Sequence, residues 1–421
     1  MERILVCSFS TSIGGSMTES TINSANPTVD PRDLGARLRE ARKAAGLTQE
    51  AAATHLGAAR TTIVAIEKGE RRAKPNEMIQ LAVLYRRSVN ELLRPGAPVQ
   101  PFAVQLRATI MNDDAVARAI EEPTWLFQRL CEDYYELERL CNAQMAMNYP
   151  AERPAGGAPP EIVGEDIAQR ERLRLGLGDG PIPNLRLLLE QDVGLRVFYP
   201  ELPRDVAAMF SYDPHLGGCI AINANQPYER RRLSLAHEYG HFLSSRYRAE
   251  VMLLGRYRRL PDHERLANTF AICFLLPADG VSRRVNEVKG AKDGRFTYAD
   301  ICTMAYYYAV SVEAFTRRLE DLKLAKSGAW ERLKASGFKV AEARAILGIA
   351  RPAVVDDLLP PRYSFLALEG YREGQLSESQ LAHFLRVDRG EARRIVDESS
   401  YTSASPDTDV LTRHDLDESI E

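Results

Sequence analysis

The sequence predicts a mostly helical α+β protein built from several domains. Three observations favour this class. Short helical patterns punctuated by glycine occupy residues 32–93, three short β patterns lie between residues 195 and 223, and helical periodicity dominates the rest. With 421 residues and 45% hydrophobic content, the chain is too long for one ordinary core.

Changes in composition indicate where the domains begin and end. Proline and glycine are concentrated in linkers near residues 95–101 and 149–160, and the last 25 residues carry eight acids against one arginine. We expect six segments: a disordered leader (1–30), an N-terminal helical domain (31–95), a helical connector and linker (96–160), an α+β domain (161–325), a helical C-terminal region (326–396) and an acidic disordered tail (397–421).

Cysteine usage and hydropathy limit the cellular compartment. The six cysteines form no CxxC pair and no disulfide-like spacing, and no apolar run reaches the length of a membrane span. The first 31 residues hold one short apolar run and lack the long apolar core of a signal peptide. We therefore expect a cytoplasmic protein that has no membrane partner.

Five short helices are predicted in the N-terminal segment. Gly46, Gly57 and Gly69 stand where helix ends favour a left-handed residue, while Thr48 is expected to cap the second helix and Asn76 the fourth. The predicted helices are Arg32–Ala45, Thr48–Leu56, Arg60–Lys68, Asn76–Arg86 and Ser88–Leu93.

The stretch from Gly46 to Gly69, GLTQEAAATHLGAARTTIVAIEKG, resembles the helix-turn-helix of the Xre (lambda-repressor-like) family. The resemblance implies a five-helix domain whose third helix enters the major groove of a double-stranded DNA operator. On that alignment Arg60, Thr61 and Val64 lie near base edges, and Gln49 lies near a phosphate. Arg60 is the residue that we expect to read a guanine.

Charge supports DNA binding by this segment, although one residue departs from the family pattern. Residues 31–95 carry thirteen basic and seven acidic side chains, so the segment is about +6 while the whole chain is −3. Ala59 stands where the family has a Ser or Thr cap on the recognition helix, and losing that cap costs about 1 kcal/mol. The alternative is a helix-turn-helix that serves only for dimerisation, which would form a homodimer, or for docking a partner protein.

The connector and the β patterns precede the most informative motif. Apolar and aromatic residues between Asp113 and Tyr149 keep helical spacing, which predicts a helical connector whose stripe is core. Leu195–Tyr199, Ala207–Tyr212 and Gly218–Asn223 are predicted to form a small antiparallel sheet. An edge strand of such a sheet can bind an extended peptide by strand addition.

His237 and His241 bracket Glu238 in the pattern HExxH, within a stretch whose apolar residues recur at helical spacing. Helical residues four apart are separated by about 40° in azimuth and roughly 6 Å along the axis, so both imidazoles can bind one metal ion. Glu238 lies beside that face, where a general base takes a proton from a water molecule. The pattern is typical of a zinc protease.

A third metal ligand is predicted on the next helix. The stretch from Asp262 to Pro277 reads as an amphipathic helix, and Glu264 in its first turn would complete a His2Glu site with a fourth position open. His263 is a competing candidate, and we expect only one of the two to face the site.

AHEYGHF, followed by ExxANxFAxxxLxP from Glu264 to Pro277, resembles the ImmA/IrrE metallopeptidases over about 150 residues. The resemblance implies Zn²⁺, with Mn²⁺ as the alternative, bound by His237, His241 and Glu264, with Glu238 as the catalytic base. It also implies a narrow substrate, typically a repressor cleaved under stress. Leu266 replaces a usual glutamate of the family, and Leu-Pro lacks the usual methionine, but neither change touches a proposed ligand.

The C-terminal region is less informative. The stretch from Tyr371 to Ile395 looks like another helix-turn-helix capped by Ser377, and a plain helical hairpin is an equal alternative.

The motifs and the two resemblances together predict a DNA-binding transcriptional regulator with a zinc endopeptidase. The ImmA/IrrE resemblance implies that it cleaves a repressor-type protein in a stress or mobile-element response. The alternative is a non-proteolytic regulator, or an antitoxin that binds a cognate toxin.

Overall fold

The computed structural model describes residues 30–93 except 86 and 88, residues 102 and 106, and residues 114–401 except 254–259 and 350–356. The predicted leader up to residue 29 and residues 402–421 of the predicted tail lie outside this part of the chain. Two compact units are present, Met1–Pro98 and Val99–Glu421. Among the described residues, no helix is long and apolar enough to cross a membrane.

The first unit contains the five predicted helices. They are α1 (Pro31–Ala44), α2 (Gln49–Leu56), α3 (Arg60–Glu67), α4 (Pro75–Leu84) and α5 (Val89–Leu93). Leu38, Ile63, Ile66 and Leu81 are buried at their centre. Periodic apolar positions in α1, α3 and α4 therefore form one small core, as the sequence predicts.

Capping of these helices matches one prediction and corrects another. The Thr48 hydroxyl accepts a hydrogen bond from the Ala51 N–H at 3.1 Å, as expected. The predicted Asn76 cap is wrong, because α4 begins at Pro75 with Lys74 as its N-cap. Proline lacks an N–H and has a helical φ, so it fits the first helical position and starts the helix earlier.

The second unit is built around a four-stranded sheet of order β1-β3-β2-β4. The strands are β1 (Arg196–Phe198), β2 (Val206–Asp213), β3 (Gly217–Ile222) and β4 (Glu250–Leu253). The three predicted strands are present, but the sheet is mixed because β1 pairs parallel to β3. Residues 199–205 cross to the far side of β3 instead of forming a hairpin, so β1 and β3 run in the same direction.

Strand β4 was not predicted. It pairs antiparallel with β2, and three of its four residues are only half-buried. An edge strand this short carries little periodic signal of its own, since pairing with a neighbour defines it.

Fourteen helices of four to twenty residues are present in the described part of residues 114–401. They are α6 (Asp114–Ala119), α7 (Glu121–Leu140), α8 (Pro160–Arg174), α9 (Leu185–Leu188) continued by a π-helical turn (Leu189–Val193), α10 (Tyr228–Ser245), α11 (Asp262–Leu275), α12 (Ala278–Ala291), α13 (Tyr298–Tyr307), α14 (Val312–Asp321), α15 (Ala329–Ala335), α16 (Val340–Ile346), α17 (Pro361–Arg372), α18 (Glu378–Leu385) and α19 (Arg389–Tyr401).

Alternation along β3 divides this unit into two cores. Ile220 and Ile222 face a core that contains α8, α10 and α11. Cys219 and Ala221 face a second core that contains Tyr134 of the predicted connector and residues of the C-terminal helices. The connector helix α7 and the last helices α17–α19 thus pack on one face of the sheet. Helix α10 packs on the other face, in the same core as α15 and α16.

Helices α18 and α19 form a helix-turn-helix with the same spacing as α2 and α3. Gly57 and Arg386 both adopt the left-handed conformation, with φ of 62° and 59°, nine positions after the capping Thr48 and Ser377. In both pairs the second helix begins three positions later. The C-terminal pair therefore shares the cap-to-turn spacing of the N-terminal pair.

Helix α19 continues into the predicted tail. It ends at Tyr401, so the first residues of the 397–421 segment are helical. Ile395 and Val396, one turn earlier, pack against the second core. This contact stabilises the helix beyond residue 396, after which the acidic composition predicts a disordered tail.

Candidate metal centre and nucleic-acid interface

The residues predicted to contact DNA lie at the start of α2 and α3. Arg60 and Thr61 are exposed, and Val64 is half-buried one turn later. Arg60 Nη2 lies 3.4 Å from Gln49 Oε1, so the side chains of Arg60 and Gln49 are in contact. This contact does not include Thr61 or Val64. Ala59 makes no side-chain capping bond, as its lack of a hydroxyl predicts.

A buried ion pair behind this surface was not anticipated. Arg42 Nε lies 2.6 Å from Glu67 Oε1, and its Nη1 donates to the Leu47 carbonyl at 2.7 Å. Glu67 also accepts a hydrogen bond from Gln49 Nε2 at 2.9 Å. The pair joins α1 to α3 and holds the Gln49 side chain in place. It could not be predicted from the sequence, because charged residues in helices are mostly exposed.

The three predicted metal ligands converge. Nε2 of His237 lies 3.0 Å from Nε2 of His241, and the two nitrogens lie 3.3 and 3.7 Å from oxygens of Glu264. Ligand atoms bound to zinc at about 2.0–2.2 Å in a tetrahedron are separated by roughly 3.4 Å. The donor set and its spacing therefore fit a divalent metal ion.

Close helix packing brings Glu264 opposite the two histidines. A Cβ on Gly240 would lie 3.0 Å from Phe270 Cδ1 and 3.1 Å from Ala267 Cα, so glycine lets α10 approach α11. The neighbouring Tyr239 packs its ring against Phe270 of α11, and its hydroxyl donates to Glu171 of α8. These contacts fix both the rotation of α10 and its distance from α11.

Glu238 lies beside the ligands and is completely buried. Neither carboxylate oxygen accepts a hydrogen bond from any residue that the structure describes. Burial, followed by the negative charges of Glu264 and Glu250, raises the pKa of Glu238 well above its ordinary value. An uncompensated carboxylate at this position has the proton affinity that a general base needs.

The protonation of the ligands suits metal binding. Burial raises the pKa of Glu264, but the hydrogen bond to His237 and the nearby histidine charges outweigh it and lower the pKa to about 2. Burial, followed by the charge of His237, lowers the pKa of His241 well below its usual range. An ionised carboxylate beside a neutral imidazole is the form in which these groups bind metal ions.

Asn268 is a site residue that sequence reasoning missed. Its Oδ1 lies 3.0 Å from Nδ1 of His237, which leaves Nε2 of that ring directed at the other ligands. Asn268 follows Glu264 by one helical turn, so the spacing of four was the signal that could have identified it.

His263 and Glu250 also lie at the site. His263 Nε2 is 3.7 Å from Glu250 Oε1 and 3.9 Å from Glu264 Oε1. Of the two competing candidates, only Glu264 groups with His237 and His241, and His263 lies in a neighbouring group with Glu250. Glu264 is directed at the histidines of α10, and His263 is directed at Glu250 of β4. The two adjacent residues of α11 therefore contact different elements. Nothing in the sequence indicated Glu250.

Comparisons with known proteins identify both domains. The family model of the IrrE N-terminal-like domain, peptidase family M78, matches residues 190–320, and that of a helix-turn-helix domain matches residues 33–94. No curated protein matches the chain at a significant level.

Two crystal structures of other proteins are similar to this chain, each at 10% sequence identity. The match to ComR from Streptococcus suis covers 89% of this chain and 90% of the ComR chain, with a TM-score of 0.15. The match to Bacillus thuringiensis PlcR, in complex with the peptide PapR7 and DNA, covers 90% of this chain and 100% of the PlcR chain, with a TM-score of 0.16.

Proposed function

From the premise that this chain joins a helix-turn-helix domain to an IrrE N-terminal-like domain of peptidase family M78, we propose a DNA-binding transcriptional regulator with a zinc-dependent endopeptidase. The observation that carries the peptidase assignment is Glu238, a buried carboxylate without a hydrogen-bonding partner in the described structure, beside three convergent ligands.

The chemistry follows from the placement of these groups. A Zn²⁺ ion held by His237, His241 and Glu264 would supply Lewis-acid polarisation of a peptide carbonyl and make a nearby water more acidic. Glu238 takes the proton of that water and later delivers it to the leaving amine. Asn268 holds the His237 ring in the orientation that this requires.

A substrate strand is proposed to add to β4. Within the described sheet β4 pairs with β2 alone, and its Glu250 lies on the His263 side of the metal ligands. Strand addition would place an extended peptide next to the ligands through main-chain hydrogen bonds. The proposed substrate is a repressor-type protein, which the ImmA/IrrE resemblance favours. In the non-proteolytic alternative the partner is a cognate toxin, which is bound and not cleaved.

The DNA contacts are proposed for the exposed ends of α2 and α3. Arg60 and Thr61 would contact base edges in the major groove, with Val64 against a thymine methyl group and Gln49 near a phosphate. The exposure of Arg60 and Thr61 and the excess of basic residues in this segment support the proposal.

The peptidase is tested with Glu238→Gln, which keeps the shape of the side chain and removes its base. Cells that produce the wild-type chain should contain protein fragments with new N-termini, and cells that produce the variant should lack them. The purified wild-type and variant proteins should contain the same amount of zinc. Glu287→Gln, an exposed change on α12, is the matched control and should cleave normally. Equal fragments from both variants would remove Glu238 from the mechanism.

A non-proteolytic regulator or antitoxin is the second candidate, and the closed site favours it. His237 and His241 are each 1% exposed and Glu238 is 0% exposed. In that case the metal ion stabilises the fold, purified zinc-loaded protein cleaves nothing encoded at its own locus, and Glu238→Gln leaves the cellular phenotype unchanged.

A further inference from the structure

A second group of donors lies directly beside the proposed zinc ligands. One ligand atom from each of Glu250, His263 and Glu264 lies within 4.8 Å of the others, the same limit that the first group meets. The two groups come from three different elements, α10, α11 and β4, and share Glu264.

The two oxygens of Glu264 differ in their partners. Oε2 lies 3.3 Å from Nε2 of His237, whereas Oε1 lies between the two groups, 3.7 Å from Nε2 of His241 and 3.9 Å from Nε2 of His263. A carboxylate in this position can bridge two metal ions about 3.5–4 Å apart, as in two-metal hydrolytic sites. We propose that the centre is dinuclear, with a second divalent ion held by Glu250, His263 and the shared Glu264.

Glu250 is the independent observation that favours an ion at this position. It is 7% exposed, and its Oε1 accepts no hydrogen bond from the described residues. Arg248 is the nearest cation, with Nε 2.8 Å from that oxygen, but the Arg248 side chain is 55% exposed. An ion pair this accessible to water contributes about 0–1 kcal/mol, so a metal ion can displace it.

The donors define the class of ion. One imidazole and two carboxylates suit Zn²⁺ or Mn²⁺, with water completing the coordination. The distances of 3.7 and 3.9 Å from His263 Nε2 to its two acidic partners exceed the roughly 3.4 Å of a tetrahedral zinc site. His263 is half-buried, so a small rotation of its ring closes this difference.

This inference rests on the proposed zinc centre, and metal stoichiometry separates the two. Metal-free full-length protein is titrated with Zn²⁺ and, separately, with Mn²⁺, and bound metal is measured after gel filtration. The expected result is about two ions per chain, and the Mn²⁺-loaded protein should give the electron paramagnetic resonance spectrum of an exchange-coupled pair.

Variants then assign the second ion. Glu250→Gln and His263→Gln should each reduce binding from about two ions to about one and convert the spectrum to that of isolated Mn²⁺. His215→Gln, at a histidine outside both groups, should keep both ions. Circular dichroism confirms that each variant is folded.

Three results would overturn the inference. One ion per wild-type chain refutes the second site and leaves the zinc centre intact, whereas no bound ion refutes both. Two ions retained in both the Glu250→Gln and His263→Gln proteins would show that the second ion binds elsewhere.

Discussion

A methyl group added at Gly240 tests whether the approach of α10 to α11 assembles the metal centre. In Gly240→Ala the new Cβ would meet Phe270 Cδ1 at 3.0 Å and Ala267 Cα at 3.1 Å. Ring and backbone must then move by a few tenths of an ångström. Overpacking of this kind costs about 1–3 kcal/mol, and the better helix propensity of alanine returns up to about 1 kcal/mol.

We therefore expect Gly240→Ala to lower the free energy of unfolding by about 1–2 kcal/mol. Because α11 carries Glu264 and Asn268, zinc affinity should also fall by roughly 10-fold or more. Urea unfolding measures the first quantity, and competition with a chromophoric chelator measures the second.

Gly290→Ala is the matched control. A Cβ at Gly290, near the end of α12, meets nothing within 4 Å, so this variant should be as stable as the wild type or slightly more stable. If Gly240→Ala proved as stable as Gly290→Ala and bound zinc equally well, close packing at Gly240 would not be what positions Glu264.

Three further perturbations probe the other contacts. Asn268→Ala should weaken zinc binding by about 10–100-fold through loss of its contact with His237, measured with the same chelator; unchanged affinity would exclude that role. Arg60→Ala should cost about 1–3 kcal/mol of operator binding and relax specificity at one base pair, seen in binding to a set of single-site operator variants; a uniform loss across all variants would indicate a phosphate contact instead. Glu67→Ala leaves Arg42 buried without its carboxylate and should lower the free energy of unfolding of the first unit by roughly 3–5 kcal/mol; a loss below about 1 kcal/mol in urea unfolding would contradict a desolvated pair.

The sequence predicted the helices and the proximity of His237 to His241 because both depend on local spacing. Thr48, Gly57 and the periodic apolar residues define α2 and α3 within a few positions, and the HExxH spacing places two imidazoles on one helical face. These features require no knowledge of distant contacts.

Features created by tertiary contacts were not predictable in the same way. The parallel pairing of β1 with β3 depends on where residues 199–205 cross, and β4 exists through its pairing with β2. Glu250 reaches the site only because that strand forms. Asn268 lay between these cases, since its spacing from Glu264 was visible while the position of His237 opposite it was not.

Anomalous diffraction at the zinc edge, from crystals of the full chain grown with Zn²⁺, tests whether these three side chains bind one metal ion. The proposed centre predicts a peak about 2.0–2.2 Å from Nε2 of His237, from Nε2 of His241 and from a carboxylate oxygen of Glu264, with Glu238 beside it and not bound to it. A peak bound by Glu238, or no peak among these three side chains, would contradict the metal centre on which the proposed peptidase depends.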